Sequence, residues 1–217
     1  MSYKVCIVTP QSTWFSPFAF ALMDQLKTMN CFVEILEDHK LLSLGTDLTF
    51  FLSYPRLVKQ ADLDKSKLNV VAHASALPKG RGWSPWVWQI LEGSNEIPIT
   101  LFEVQESLDS GPILLQDFLV LSGSELIEIL RDLLGKKINE MCLKLVEKYQ
   151  QGQLEKIEQG GEPTYYAKRT AAHSELSINK TIADQFNLFR VVDNEAYPAF
   201  FYLNGKKYIL KIFDGEK

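Results

Sequence analysis

The stretch NVVAHASALPKGRGWSPWVWQILEG, residues 69–93, joins an apolar run to a loop and then to a short apolar segment. The first part has the β-branched, continuous apolar character of a buried strand. Proline and two glycines interrupt regular structure in the middle. The segment after Pro85 reads as a short helix that ends at Gly93. A buried strand, a loop and a helix in this order form the repeating unit of an α/β fold.

The same alternation extends in both directions from this stretch. The patterns predict strands over 3–10, 31–38, 47–55, 68–75, 97–105 and 111–121, and helices over 18–29 and 85–93. Such an order favours a Rossmann-like, mostly parallel twisted sheet with right-handed crossovers. The last of these strands follows a short turn, so we expect it to pair back with the strand before it.

The C-terminal third reads differently. Ser122 and Glu125 have the spacing of a capping box, which predicts the start of a long helix. The segment EQGGEPT, residues 158–164, contains glycine and proline and indicates a boundary. We therefore expect a core over 1–160 and a small subdomain over 161–217. The subdomain should contain a helix and a β-hairpin that turns at Asn204 and Gly205.

The composition is that of an ordinary globular protein, with 46% hydrophobic and 23% charged residues among 217. A net charge of −4 gives no basic footprint for nucleic acid. Three separated cysteines in apolar surroundings are typical of buried thiols in a reducing compartment, and no Cys/His cluster indicates a metal. The N-terminus begins a strand instead of a signal peptide, and no apolar run is long enough to span a membrane. We expect a cytoplasmic protein without metal, nucleic-acid or membrane partners.

Two residues in this pattern suggest chemistry. His73 ends a predicted central strand, and ligands of open α/β sheets bind at the carboxyl ends of strands. Asp109 lies in a small polar turn before the next apolar run. Alone, the histidine reads as structural and the aspartate as a turn residue. Together, a carboxylate that orients a histidine and holds its proton makes an acid/base pair. His39 and His173 lack this setting, and we expect them at the surface.

The segments HASALPKGRG and LDSGPIL resemble the formyltransferases that use 10-formyltetrahydrofolate. In that family a strand ends in Asn-x-His-x-Ser-x-Leu-Pro, a basic, glycine-bearing loop follows, and an Asp-x-Gly comes later. The matching positions here are His73, Ser75, Leu77, Pro78, Arg81, Gly82, Asp109, Gly111, Ile113 and Leu114. The resemblance implies a formyltransferase catalytic core over 1–160, with 10-formyltetrahydrofolate as the co-substrate.

One position departs from the family pattern. The asparagine expected two residues before His73 is Val71 here, and Asn69 lies two residues further back. Alternation points Asn69 to the same face as His73 but about 7 Å farther away. Three interpretations are open: another polar group, Asn69 among them, replaces the asparagine; His73 and Asp109 suffice; or the protein binds without catalysing.

The resemblance also suggests which residues bind ligands. We expect the folate to contact Leu77 and the loop that contains Val104, Gln105, Glu106 and Leu108. A guanidinium suits phosphate oxygens, so we assign the basic loop to the diphosphate of a nucleotide sugar, with a solvated loop as the alternative. The candidate substrate-binding residues are Ser75, Lys79, Arg81, Gly82 and Trp83.

The C-terminal segment resembles the one that follows the catalytic core in methionyl-tRNA and sugar-nucleotide formyltransferases. Its matching positions are Lys168, Arg169, Thr170, Asn187, Arg190, Asp193, Tyr197, Pro198 and the hairpin. The resemblance does not extend to the larger barrel with which methionyl-tRNA enzymes hold tRNA. It is strongest to the small sugar N-formyltransferases of bacterial surface-glycan pathways, the pseudaminic-acid type included.

This resemblance implies formyl transfer to the amino group of a nucleotide-linked 4-amino-4,6-dideoxy sugar. His73 would donate a hydrogen bond to the oxyanion, and Asp109 would accept the proton of the attacking amine. The alternatives are a hydrolase that releases formate from the same folate and a non-catalytic folate- or nucleotide-binding protein. We expect Asn187 and Arg190 to brace the subdomain against the core. The aromatic hairpin is a candidate homodimer contact.

Overall fold

The computed structural model describes residues 2–105 and 107–215. The strands are β1 (Tyr3–Val8), β2 (Cys31–Leu36), β3 (Thr46–Phe51), β4 (Ser66–His73), β5 (Arg81–Gly82), β6 (Glu96–Glu103), β7 (Ile113–Val120), β8 (Tyr165–Tyr166), β9 (Ala199–Leu203) and β10 (Lys206–Leu210). The helices are α1 (Ser16–Thr28), α2 (Gln60–Leu63), α3 (Pro85–Leu91), α4 (Ile127–Gln150) and α5 (Phe186–Val191). Short 3-10 turns occur at His39–Leu41, Ala171–Ser174 and Ala183–Gln185.

Six strands form one mixed sheet in the order β2-β1-β3-β4-β6-β7. The first four are parallel to one another, as buried β-branched strands joined by crossovers should be. β6 is antiparallel to both of its neighbours. The predicted Rossmann-like, mostly parallel α/β sheet is confirmed, and so is the return pairing of β7.

The two faces of the sheet differ in size and in use. One face carries the main hydrophobic core, against which α1, α3 and α4 pack. The other carries a smaller cluster of Cys6, Val8, Leu42, Phe51 and Leu63. Along β4, Leu68 and Val70 point into the main core. Alternation therefore directs Asn69, Val71 and His73 to the smaller cluster.

The predicted start of the long helix is wrong by a few residues. The backbone N–H groups of Ser122 and Gly123 do donate to the Glu125 carboxylate, as in one half of a capping box. The helix α4 nevertheless begins at Ile127, because the same carboxylate also accepts from Arg190 and stays in the loop before the helix.

The predicted C-terminal hairpin is present. β9 and β10 pair as a hairpin around Asn204 and Gly205, whose positive φ angles of 51° and 76° suit a tight two-residue turn. Arg190 on α5 is only 1% exposed and donates to Asn95, Asn187 and Glu125. The expected brace between subdomain and core is confirmed.

The buried polar residues correct one prediction and confirm another. His39 is 6% exposed, not a surface histidine: its Nδ1 lies 2.6 Å from the Tyr54 hydroxyl and its Nε2 lies 3.5 Å from an Asp62 carboxylate oxygen. These partners come from the loop after β3 and from α2, so local sequence around His39 gave no sign of them.

All three cysteines are free and buried, as predicted. Within the described chain, no helix is both long and apolar enough to cross a membrane.

Candidate active site

His73 is the last residue of β4, and its ring is almost enclosed, with 8% of the residue exposed. Its Nε2 lies 2.8 Å from the carbonyl oxygen of Gly80. A carbonyl oxygen can only accept, so Nε2 carries a hydrogen in this arrangement. The edge of the ring meets Phe102 of the neighbouring strand, with ring centroids 6.4 Å apart. Strand and loop therefore fix both the orientation and the protonated nitrogen of the imidazole.

Asp109 reaches His73 by an indirect route. Because β6 is antiparallel to β4, Glu103 lies opposite Val70, three residues before His73. The loop after β6 has to run back along the sheet to bring its aspartate to the histidine. There the Asp109 Oδ2 lies 3.9 Å from His73 Nε2 and accepts from the Gly82 N–H at 2.9 Å. The predicted pairing of the two residues is present, although Asp109 is on a returning loop and not at a neighbouring carboxyl end.

The backbone at Asp109 adopts an unfavourable conformation for this contact. Its φ of 50° is in the left-handed region, which a non-glycine residue occupies only when its surroundings require it. The same loop passes very close to β6 at Gly111, where an added Cβ would lie 1.8 Å from the Glu103 carbonyl oxygen. The position of the carboxylate therefore depends on a tightly constrained turn.

The basic loop is held as a small parallel sheet. β5 pairs with β8, with the Arg81 N–H bonded to Thr164 O and the Trp83 N–H bonded to Tyr166 O. The Gly80 N–H donates to the Thr164 hydroxyl at 2.8 Å. At Gly82, an added Cβ would lie 2.5 Å from Tyr166 O, so only glycine permits this approach. The segment around residue 165 thus sets the shape of the loop that contacts His73.

The predicted substrate-binding residues divide into exposed and enclosed groups. Lys79 is exposed, and Trp83 is 42% exposed with the Lys168 ammonium 4.7 Å from the centroid of its ring. Arg81 is half-buried and donates from Nη2 to Gln159 Oε1 at 2.7 Å. Ser75 is buried, and its hydroxyl has no partner among the described residues. Lys79 and Trp83 therefore face solvent, whereas the Arg81 guanidinium is hydrogen-bonded within the protein.

The residues predicted to contact folate lie near the same loop. Leu77 is buried, and the Val104 N–H donates to Asn69 O at 2.8 Å. Gln105 is exposed and Leu108 is 50% exposed. Glu106, also predicted to line this site, lies outside the described residues. Gln105 and Leu108 are thus exposed on the loop that leads to Asp109, whereas Leu77 is buried in the loop after β4.

The structure does not bring Asn69 to His73. The Asn69 Nδ2 donates to Leu63 O at 2.9 Å, and its Oδ1 has no partner within 2–105 and 107–215. Val71, in the position of the family asparagine, packs on the smaller apolar cluster. The asparagine is thus oriented toward α2, and the strand offers no polar side chain between it and the histidine.

Sequence reasoning missed the segment that joins the two motifs. Ile157 bridges to Ile113 at the start of β7, and Thr164 and β8 contact the basic loop. The glycines and proline of this segment indicated a boundary, and a two-residue strand gives no periodic pattern. No group of three or more His, Cys, Asp or Glu side chains in the described part is arranged to hold a metal ion.

The sequence and the fold resemble those of known formyltransferases. Residues 34–122 match the sequence profile of the family described as Formyl transferase. Methionyl-tRNA formyltransferase from Thermodesulfovibrio yellowstonii is 29% identical over 152 residues, which cover 70% of this chain and 49% of that protein. A 4-N formyltransferase from Francisella tularensis superposes with a TM-score of 0.77 at 18% identity, covering 97% of both chains. HypX from Aquifex aeolicus in complex with tetrahydrofolic acid gives a TM-score of 0.77 at 16% identity, covering 97% of this chain and 37% of that one.

The matches cover different parts of this chain and of its relatives. The chain spans about half the length of the curated relative from Thermodesulfovibrio yellowstonii. The structural likenesses, at below 20% identity, concern the fold. The profile match contains both motifs of the candidate site, His73 on β4 and Asp109 on the returning loop. Residues 34–122 therefore resemble the formyl transferase family, and the chain has the formyltransferase fold.

Proposed function

We propose that the protein transfers the formyl group of 10-formyltetrahydrofolate to the amino group of a nucleotide-linked 4-amino-4,6-dideoxy sugar. The observation that carries the proposal is the His73–Asp109 pair, at 3.9 Å, inside the segment that matches the formyl transferase family. The solved HypX complex with tetrahydrofolic acid supports a folate co-substrate, and the 4-N formyltransferase of the same fold supports a nitrogen acceptor.

In the proposed reaction the neutral amine attacks the formyl carbon, and a new C–N bond forms as the carbonyl oxygen becomes an oxyanion. His73, in its protonated form, donates a hydrogen bond to that oxygen, which lowers the barrier by a few kcal/mol. Asp109 accepts the proton that the attacking nitrogen loses. The oxyanion then re-forms the carbonyl as the bond between the formyl carbon and N10 breaks, and Asp109 passes the proton that it accepted to N10, which leaves as tetrahydrofolate.

The geometry of Asp109 suits this proton transfer. Its Oδ2 is occupied by the Gly82 N–H and lies beside His73. Its Oδ1 has no hydrogen bond to any described residue, and the side chain is 12% exposed. One carboxylate oxygen therefore holds the loop and the histidine, while the other is left for the amine.

The surface beside the pair suits a nucleotide sugar. The Lys168 ammonium lies 4.7 Å from the centroid of the Trp83 ring, and Lys79 is exposed in the same basic loop as Trp83. Ammonium groups bind phosphate oxygens, and a tryptophan face stacks on a nucleobase. We propose that these three residues hold the nucleotide, while the loop of Val104, Gln105 and Leu108 holds the folate.

Val71 favours one competing function. Without a polar group two residues before His73, and with Asn69 directed to Leu63, a second donor to the oxyanion is missing from the described part of the site. A protein with this site that binds folate without transferring its formyl group is the second candidate. Hydrolysis of the formyl group to formate is the other outcome to be distinguished.

The experiment is an acceptor screen read by mass spectrometry. The protein is incubated with 10-formyltetrahydrofolate and a panel of UDP- and dTDP-linked 4-amino-4,6-dideoxy sugars, with methionyl-tRNA as a separate arm. We expect a sugar nucleotide that gains the mass of one formyl group in place of hydrogen. Formylated methionyl-tRNA alone, formate release without an acceptor, or bound folate without turnover would each replace the proposal with a different function.

Matched variants test the assignment of the pair. His73→Asn and Asp109→Asn should each abolish transfer while leaving the far-UV circular dichroism unchanged. His173→Asn and Asp132→Asn replace an exposed histidine and an exposed aspartate and should retain the activity of the unmodified protein. Full activity in either site variant would remove that residue from the mechanism.

A further inference from the structure

The side chain of Gln159 joins the two motifs of the candidate site. Its Nε2 donates to Asp109 O at 2.9 Å and to Gly111 O at 2.8 Å. Its Oε1 accepts from Arg81 Nη2 at 2.7 Å. One amide group therefore contacts the turn that carries the aspartate and, at its other end, the basic loop.

Only an amide fits this set of partners. The two carbonyl oxygens of the turn require hydrogen-bond donors, and the guanidinium of Arg81 requires an acceptor. A carboxylate in the same place has no donor for the carbonyls, and a cationic side chain has no acceptor for the guanidinium. The backbone beside it is fixed as well, because Ile157 and Ile113 exchange two hydrogen bonds of 2.7 and 2.9 Å.

The turn held in this way contains a non-glycine residue in the left-handed region. Asp109 adopts its φ of 50° against the preference of a non-glycine residue, which persists only when contacts impose it. Two hydrogen bonds donated by Gln159, one to Asp109 O and one to Gly111 O, hold the turn in this conformation. Removing them leaves the turn free to relax and to withdraw the carboxylate from the histidine.

We propose that Gln159 is a positioning residue: it holds Asp109 in place against His73 and links that aspartate to the basic loop through Arg81. This role deepens the proposed function and rests on it for its catalytic consequence. The residue does not touch the reacting atoms. Its effect on the reaction passes through the placement of the Asp109 carboxylate.

The Gly82 amide reports that placement without any need for turnover. Its N–H donates to Asp109 Oδ2, whereas the neighbouring Arg81 and Trp83 amides donate to Thr164 O and Tyr166 O. Hydrogen exchange of these three amides, followed by NMR, separates loss of the aspartate from loss of the small sheet. The Gly82 amide depends on the carboxylate, and its two neighbours depend only on the pairing of β5 with β8.

In Gln159→Ala and Gln159→Glu, we expect the Gly82 amide to exchange roughly tenfold faster or more, as loss of a hydrogen bond to a charged group implies. The Arg81 and Trp83 amides should keep their rates. The control is Gln153→Ala, which changes an exposed glutamine of the same segment. An unchanged Gly82 rate in both Gln159 variants would overturn the proposal. Equal acceleration of all three amides would overturn it too, because Gln159 would then support the small sheet in general.

Kinetics complete the test on the acceptor found in the screen. We expect kcat to fall in both Gln159 variants with little change in the KM for 10-formyltetrahydrofolate, because the described hydrogen bonds of the Gln159 side chain go to Arg81, Asp109 and Gly111 and not to Val104, Gln105 or Leu108. A rise in KM with unchanged kcat would overturn the positioning role in favour of a binding one. Should the unmodified protein transfer formyl to no acceptor, the proposed function fails, while the Gly82 exchange still decides whether Gln159 holds Asp109.

Discussion

Gly111→Ala tests how closely the activity depends on the position of the Asp109 turn. Gly111 has no left-handed φ, so alanine is compatible with its backbone conformation. The added methyl group, however, would lie 1.8 Å from the carbonyl oxygen of Glu103 at the end of β6. The substitution therefore acts through one contact between the returning loop and the sheet.

The size of the effect follows from that distance. A methyl carbon and a carbonyl oxygen do not approach within 3.0 Å, so the turn and the strand have to separate by more than 1 Å. Asp109 is two residues away in the same turn, and its contact with His73 is already 3.9 Å long. Misplacing a catalytic group by about 1 Å costs roughly 10²-fold in rate. We expect kcat/KM for formyl transfer to fall by about that factor.

The assay measures initial rates on the acceptor from the screen, together with the thermal unfolding midpoint. Gly160→Ala is the matched control, because a Cβ there meets nothing within 4 Å and its φ is not left-handed. It should keep both the rate and the midpoint of the unmodified protein. Should Gly111→Ala also retain full kcat/KM, the turn either adjusts without moving Asp109 or the carboxylate position is unimportant, and the reasoning is refuted.

Three further predictions concern stability and assembly. Arg190→Met removes the 1% exposed guanidinium that pairs with Glu125, whose side chain is 11% exposed, and should lower the free energy of unfolding by about 3 kcal/mol in urea denaturation, with exposed Lys211→Met as the neutral control. Burial would raise the pKa of Glu125, but backbone N–H groups of the preceding loop outweigh it and lower that pKa from 4.5 to about 2. Its ionised form stabilises the fold above pH 4.5, so the stability difference between the unmodified protein and Glu125→Gln should shrink as the pH falls from 4.5 toward 2; a constant difference would contradict this. If the hairpin is a homodimer contact, Ile209→Asp, at a position that is 63% exposed, should convert dimers to monomers in analytical ultracentrifugation, and an unchanged mass would exclude the hairpin as the contact.

The elements that repeat a local pattern were predictable. The buried strands and α1 followed from apolar periodicity, and the hairpin turn followed from Asn204 and Gly205, because each depends on residues that are neighbours in sequence. The pairing of His73 with Asp109 was also predictable, but only as a pairing. The returning loop that brings Asp109 to His73 was not predictable, because the direction of β6 depends on the whole sheet and not on the residues of β6 alone.

The remaining features depend on contacts between distant residues. His39 is buried because Tyr54 and Asp62 surround it. Asn69 faces away from the site because Leu63 offers it a carbonyl. Neither preference is encoded in the residue or its neighbours, so periodicity and composition cannot reveal it. The same holds for the segment around residue 159, whose glycines suggested a linker.

That segment has a consequence for protein engineering. A boundary at residue 160 is where a designer would divide the chain to exchange acceptor-binding regions between enzymes. Gln159 would stay with one half, whereas Thr164 and β8, which shape the basic loop, would go to the other. A chimera joined at residue 160 takes both motifs from one parent but takes Thr164 and β8, which contact the basic loop, from the other. Crossovers placed after Tyr166 keep these contacts within one parent, so recombination libraries should concentrate their functional members there.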